Sequence, residues 1–339
     1  MIPNLRTRRT VTASLLSLLA LGLCVTHGSA AFQTDKARNE AKSQPAPKPT
    51  PQPPLAALRR EFKNPLPIPA GERLEYEVRF SRFPIYASVG VVTFEFAGPA
   101  TGAQFEPVNG LNVEFKPPAE DQFVRLRASA VSKGFLIALV GIDVKDRFET
   151  LVDAQDFAAR LSFKQIKEGK KRTAESASFD RLQQTIKHAV SDLNKPESPP
   201  REKTLARPEG SLDLLSAFYF VRLQKLKEGQ MLRFPVSDDG VNYTFDIVVG
   251  KPDKLKTECG EVKAVRIEPK LFGPGQLFSR PGEMTMWLSA DNKHVPLRLV
   301  AKTSSGTVTA KLLNFKKNCK IIEPEPEGPP NSRSSQKGK

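Results

Sequence analysis

The side chains that could carry chemistry are few, and none stands in a recognisable catalytic setting. Nucleophilic hydrolysis needs a hydroxyl or thiol beside a base. Past the N-terminal segment the chain has two histidines, His188 in a charged strand-like stretch and His294 at a turn, and no G-x-S-x-G. Zinc would need several Cys or His ligands at close spacing, and none are close. No Walker or dinucleotide glycine loop occurs. Asp213 and Asp291 read as a helix cap and a turn former, although any two acids brought together in space could serve glycoside cleavage. No enzymatic activity, metal or cofactor is therefore expected.

Three residues remain as ligand-binding candidates: Tyr219, Arg222 and Trp287. Arg222 lies one turn after Phe218 and Tyr219 and one turn before Leu226, on or beside an apolar face. A buried guanidinium must be paired. Its partner is either an internal carboxylate or an anionic lipid head at a cavity mouth. Tyr219 widens the same apolar stripe. Trp287 alternates with Met286 and Leu288, which turns it to the opposite sheet face. There it either stacks under a helix or lines a ligand groove.

The element that must position these groups is a helix over residues 211–228. Ser211 or Asp213 can cap it, and Leu214, Ala217, Phe218 and Val221 follow the i, i+3, i+4, i+7 spacing. Lys225 and Lys227 suit its last turn, and Gly229 its end. Nearly everything around it reads as short strands and tight turns. Leu74, Tyr76, Val78 and Phe80 alternate with charged residues. Asn109-Gly110, Glu168-Gly169, Asp238-Asp239-Gly240, Cys259-Gly260 and Ser305-Gly306 mark hairpins. Residues 241–249 and 255–257 read as separate strands. A short helix is expected over 134–142. The fold class is mainly β: a curved antiparallel sheet or half-barrel meander around one packed helix.

The ends of the chain read differently. Arg6, Arg8 and Arg9 precede an uncharged apolar run over 11–25 and a small-residue stretch Gly28-Ser29-Ala30-Ala31. This is the pattern of a secretory signal peptide over residues 1–30, too short for a stable membrane span. Arg8-Arg9 lacks the bulky apolar pair of a twin-arginine signal. Cys24 follows Leu23, a poor fit to a lipidation site, so it reads as a cysteine lost with the signal. A Pro-rich disordered linker follows over 31–61, then a folded domain over 62–322, then a disordered tail over 323–339. No integral membrane segment remains after signal removal.

The net charge is +15, and about +12 without residues 1–30, whose only charges are the three arginines. An exported protein seldom meets nucleic acid. The basic surface therefore points to a lipid or another anionic envelope component, or to a plain solvated face. Export also leaves Cys259 and Cys319 where a disulfide can persist. They either form a bridge, worth roughly 3–5 kcal/mol in the chain-entropy model, or stay two free thiols.

Several motifs together resemble DUF3108, a family of bacterial envelope proteins. They are Gly71-Glu72-Arg73-Leu74-Glu75-Tyr76, Asp213-Leu214-Leu215-Ser216 leading to Val221-Arg222, and Gly229. Met286-Trp287-Leu288-Ser289 with Asp291 follows, then Val295-Pro296-Leu297 with Gly306. The resemblance spans nearly the whole folded part. It implies an exported β-rich architecture and no reaction. By fold analogy alone it is also similar to the curved half-barrels of lipoprotein carriers.

The expectation is an exported, non-enzymatic periplasmic or outer-envelope protein that binds a lipid or other apolar ligand in a sheet groove. The alternative is an envelope scaffold with a filled interior and a basic docking surface. N-terminal sequencing of protein from the envelope fraction is expected to start near Ala30 or Ala31. A start at Met1, or a lipid on Cys24, contradicts soluble export.

Overall fold

The computed structural model describes residues 53–62, 66–101, 122–133, 143–257, 260–273, 275–278 and 281–313. The signal segment, the Asn109-Gly110 turn, the 134–142 helix, Cys259 and Cys319 lie outside them.

Eight strands come first: β1 (Glu72–Arg82), β2 (Ile85–Thr101), β3 (Gln122–Ser132), β4 (Lys145–Asp153), β5 (Ala159–Glu168), β6 (Lys171–Asp180), β7 (Thr185–Asp192) and β8 (Arg201–Ala206). A helix, α1 (Leu214–Arg222), separates them from β9 (Met231–Asp238), β10 (Val241–Thr257), β11 (Gly260–Pro269), β12 (Gly282–Ser289), β13 (Pro296–Thr303) and β14 (Gly306–Leu312). All fourteen form one sheet in the order β8-β7-β6-β5-β4-β3-β2-β1-β14-β13-β12-β11-β10-β9. Every pairing is antiparallel, as the tight turns require. The sheet is thus two meanders joined where β1 meets β14, with Tyr76 opposite Leu312. Gly306 opens β14 at φ 144°, and a Cβ there would stand 2.6 Å from the Phe80 ring, so only glycine lets the two meanders approach at that corner.

Period-two patterning sets the faces. Leu74, Tyr76 and Val78 are buried while Arg73 and Arg79 are exposed. The helix is covered almost all round: Leu214, Leu215, Ala217, Tyr219, Phe220 and Val221 are buried. Phe218 stacks on Phe94 of β2 with centroids 4.2 Å apart. Phe220 meets Phe62 and Phe234 edge-on. A helix apolar on most sides belongs inside a curved sheet.

Asp213 is the N-cap, and its reciprocal bonds with Ser216 form a capping box. Thr150 Oγ1 donates to its other oxygen at 2.6 Å and ties the cap to β4. The helix ends at Arg222, several residues before the expected 228. The amides of Leu223 and Gln224 bond back to Phe220 and Val221, tightening the last turn. The Gln224 amide is meanwhile bonded to the Arg59 backbone in both directions. Arg222, not Lys225 or Lys227, is the basic residue of the last turn. Gly229 serves a later turn, at φ 75°, and its N–H donates to Val249 O.

Two further expectations are corrected. Residues 241–257 form one long strand, not two, because a bulge between Val249 and Pro252 absorbs the proline without ending the ladder. The linker also ends earlier than composition indicates. Leu55 bridges Met231 at the β9 edge, and the Arg60 guanidinium lies 4.7 Å over Phe220 and donates to Gly210 O.

The two sheet edges do not share a backbone ladder. Side chains and the Ser211–Leu212 backbone span the gap: Asn242 donates to Ala206 O at 2.8 Å, Lys203 to Gly240 O, Lys164 of β5 to Asp238, while Leu212 bonds β9 and Ser211 O accepts from Ala159 N.

The inner end of the helix is held by one ion pair. Arg222 donates to both Glu72 oxygens, at 2.6 and 2.9 Å, with both side chains at 0% exposure. Arg222 Nε also donates to Lys293 O at 3.2 Å. Glu72→Ala strands a buried guanidinium and is expected to cost about 3–5 kcal/mol. The shift in denaturant midpoint at constant m-value measures it. A change below ~1 kcal/mol would show that the pair does not anchor the helix.

Candidate functional site

One strand row builds the floor of an apolar cavity. Ile267, Met286, Leu299, Ala310 and Val78 sit opposite one another in sequence across β11, β12, β13, β14 and β1. All five line the space, with Leu214, Ala217, Phe218 and Val221 of α1 as its roof. Phe234, Phe245 and Ile247 form one side wall. The space persists because small residues stand where bulk would fill it: Ala310 mid-row, facing a helix that brings Ala217. Its volume is about 140 Å³ for the centres of water-sized spheres, well above the ~10–15 Å³ one water needs. Water has few polar partners there, and an apolar cavity of this kind favours an apolar guest.

Two polar residues border the lining, Tyr76 and Arg298, and register with Trp287 and Lys311 turns the Arg298 side chain away from the face that carries Leu299. Tyr76 donates to Pro296 O at 2.8 Å, and burial pushes its pKa up, so it stays neutral. Arg298 is half-buried and makes no hydrogen bond or ion pair among the described residues. It faces Trp287 on one strand and Lys311 on the other. It also borders a smaller pocket shared with Lys256, Lys311, Leu255, Leu297 and Leu312. Lys311 has Glu77 opposite it, and that carboxylate is bonded to Arg79.

The three residues picked from sequence do not line the cavity. Arg222 is internally paired with Glu72. Tyr219 is fully buried on the far side of the helix, tilted on Phe96 with the Arg222 guanidinium 5.5 Å from its ring centre. Trp287 does face away from Met286 and Leu288. It lies neither under the helix nor in the groove, but against a second cluster that includes Leu255, Ala264 and Leu297, with its indole N–H donating to Asp253 at 2.8 Å. His294 Nδ1 sits 2.9 Å from Arg222 O, and burial holds its pKa below the ordinary value. Asp213 caps the helix. Asp291 accepts from Ser289 Oγ and from the Lys293 amide at its turn. What sequence reading missed is Arg298. The signal for it was a cation inside an otherwise apolar strand, Leu297–Arg298–Leu299–Val300.

A separate buried polar cluster lies at the seam between sheet edges. Lys164 Nζ stands 2.5 Å from Asp238 and 2.7 Å from Asp239. His188 Nε2 is 3.7 Å from Glu175. Ser162, Ser176 and Ser237 border the same small pocket, yet no hydroxyl bonds the His188 ring among the described residues. A nucleophile–base pair is not formed among the described residues, and the Lys164 ammonium is held between Asp238 and Asp239. No group of three or more metal-ligating side chains occurs among the described residues.

The family model described as "Protein of unknown function (DUF3108)" matches residues 101–313, more than half the chain. The match begins at the end of β2, so the Gly71–Tyr76 motif lies outside it. No curated protein matches the chain. Among solved structures, the chain is similar to a beta-barrel-like protein of domain of unknown function DUF1849 from Brucella abortus. That structure is 12% identical, with a TM-score of 0.44 over 72% of this chain and 96% of the other.

The seam cluster makes stability depend on pH. Burial pushes Asp238 up, Lys164 only partly offsets this, and the group settles at about 8. Burial likewise carries Asp146 to about 8, against a backbone bond from Lys167 and with the help of Glu168. Glu175 is also pushed up by burial, but bonding from His188 and the charge of Lys164 outweigh this and hold it at about 2. Asp238 and Asp146 lie above their unfolded value of about 4, so each binds a proton on folding. Their stabilisation is complete below pH ~4 and is lost as pH rises through about 8. Glu175 acts oppositely, and its stabilisation is lost as pH falls from about 4.5 towards 2. Together these groups favour the fold most near pH 4–5. Thermal melts from pH 4.5 to 8.5 should show a decline that Asp238→Asn and Asp146→Asn flatten. An unchanged slope in the double variant would refute the assignment.

Proposed function

The chain belongs to the DUF3108 family, and from that premise we propose that it is an exported, non-enzymatic envelope protein that holds a lipid or other amphiphile in the cavity under α1. The observation that carries this reading is the cavity itself: an apolar row across five strands, roofed by an apolar helix face and left unfilled at two alanines. Arg298 borders both spaces and supports an anionic head held at the smaller pocket, outside the cavity itself. Two cations directly opposite on neighbouring strands repel, and Arg298 with Lys311 form such a pair. An anion at the smaller pocket would offset that repulsion through charge-assisted bonds. Among the described residues, no helix is long and apolar enough to cross a membrane. The N-terminal signal pattern supports secretion, and the Pro-rich segment an extended N-terminal arm. The scaffold reading requires a filled interior, and the open cavity weighs against it.

Mass spectrometry of lipids that co-purify with the protein tests the reading. Titration with dodecanoate and with dodecanol, followed by displacement of a neutral fluorescent probe, separates tail from head. Dodecanoate is expected to bind about tenfold tighter, the size of one charge-assisted hydrogen bond. Arg298→Gln should remove that preference while dodecanol still binds. Ala310→Phe, which fills the floor, should abolish both. Binding of neither ligand by the wild type sinks the proposal. Equal binding of both sinks only the role of Arg298.

A further inference from the structure

We infer that the tip of the β1–β2 hairpin is a docking element that enters the headgroup region of an anionic lipid surface. Strands β1 and β2 pair to Arg82 opposite Ile85, which leaves Phe83 and Pro84 as the turn. Phe83 is 85% exposed, Tyr86 71% and Ile85 44%. A folded domain seldom spends large side chains this way at one point. The three do not share a face. Tyr86 is paired with Ser81 and Ile85 with Arg82, so they project to opposite sides of the ribbon while Phe83 stands at its end. A flat protein partner would meet one side. A point that is apolar on both sides suits immersion in a fluid interface, where an aromatic ring or a tyrosine is well placed.

The surrounding charge matches an anionic surface. Arg82 is exposed beside the tip and lies 3.4 Å from Ser305 O, with no carboxylate bonded to it among the described residues. The β13–β14 turn runs alongside, since Ser81 is opposite Thr307, and brings exposed Lys302. Glu283 faces Lys302, and Glu77 further back is paired with Arg79. Without residues 1–30 and their three arginines the chain still carries about +12, which draws it towards anionic lipid at long range. The same β1 strand places Val78 on the cavity floor five residues from Phe83, about 17 Å at strand spacing.

Flotation of the processed protein, as isolated from the exporting cell, with vesicles tests this. The wild type is expected to float with phosphatidylglycerol–phosphatidylethanolamine vesicles and more weakly with phosphatidylcholine. Phe83→Ser/Tyr86→Ser should cut binding at least about tenfold, as expected from withdrawing two large apolar groups from the interface. Its melting temperature should not change, because both side chains are exposed. Arg82→Gln should weaken binding to the anionic vesicles alone. The proposal is overturned if the double variant floats as well as the wild type, or if the wild type floats with neither vesicle. It is equally overturned if the wild type is a dimer in solution that the double variant dissolves and neither binds vesicles.

Discussion

The Arg222–Glu72 pair is the contact on which the placement of everything else depends. Its guanidinium joins three parts of the chain that are far apart in sequence: the end of α1, the start of β1, and the β12–β13 turn through Lys293 O. His294 returns to Arg222 O and completes the junction. At the other end, Asp213 and Thr150 hold the helix to β4. A buried ion pair contributes little net stability compared with an apolar substitute, but it tolerates only one arrangement of its partners. The helix is therefore fixed in position and direction by polar contacts at its two ends. Its apolar middle need not complete the packing, and the space over Ala310 survives.

The same division of labour appears at the seam. A sheet of fourteen strands must either close, cover its edges or leave them exposed. Here β8 is short and charged, and the β9 edge carries Leu55 and Leu212 as single parallel bridges. Between them Lys164, Lys203 and Asn242 reach across with side chains. Backbone bonds cross that line at the Ser211–Leu212 segment, so the wall there combines side-chain contacts with single bridges and no ladder. The floor of the cavity, by contrast, is laddered on every strand.

Much of this was legible in the sequence. The strand alternation from Leu74 to Val78, the turns at Gly169, Gly240 and Gly306 and the capped apolar stretch from Asp213 all describe local physics, and the structure keeps them. The antiparallel class followed from the turns. What failed were long-range matters. The helix was read too long because Lys225, Lys227 and Gly229 look like an ending, while the real ending is set by Gln224 bonding to Arg59, far away in the chain. Residues 241–249 and 255–257 read as separate strands, whereas a bulge between Val249 and Pro252 carries one strand through. Arg222 reads as a cation needing a partner, but nothing local names Glu72. Arg298 is a lone cation in a strand, and only its neighbours across the sheet, Trp287 and Lys311, set it apart. The seam cluster assembles Lys164, Glu175, His188 and Asp238 from four strands, and no spacing within the chain announces it.

The joining of β1 to β14 has a consequence for the order of assembly. A chain is made from its N-terminus, and each of the two meanders can form from strands that are neighbours in sequence. The central strand β1 is the exception. Until Gly306 and the residues after it are made, β1 has a partner on one side only, although it lies in the middle of the finished sheet. Closing that gap joins residues more than two hundred positions apart, such as Tyr76 and Leu312. The entropy of so large a loop must be overcome before the pairing is rewarded. The last strand to be made is thus the one that turns two half-sheets into a single body.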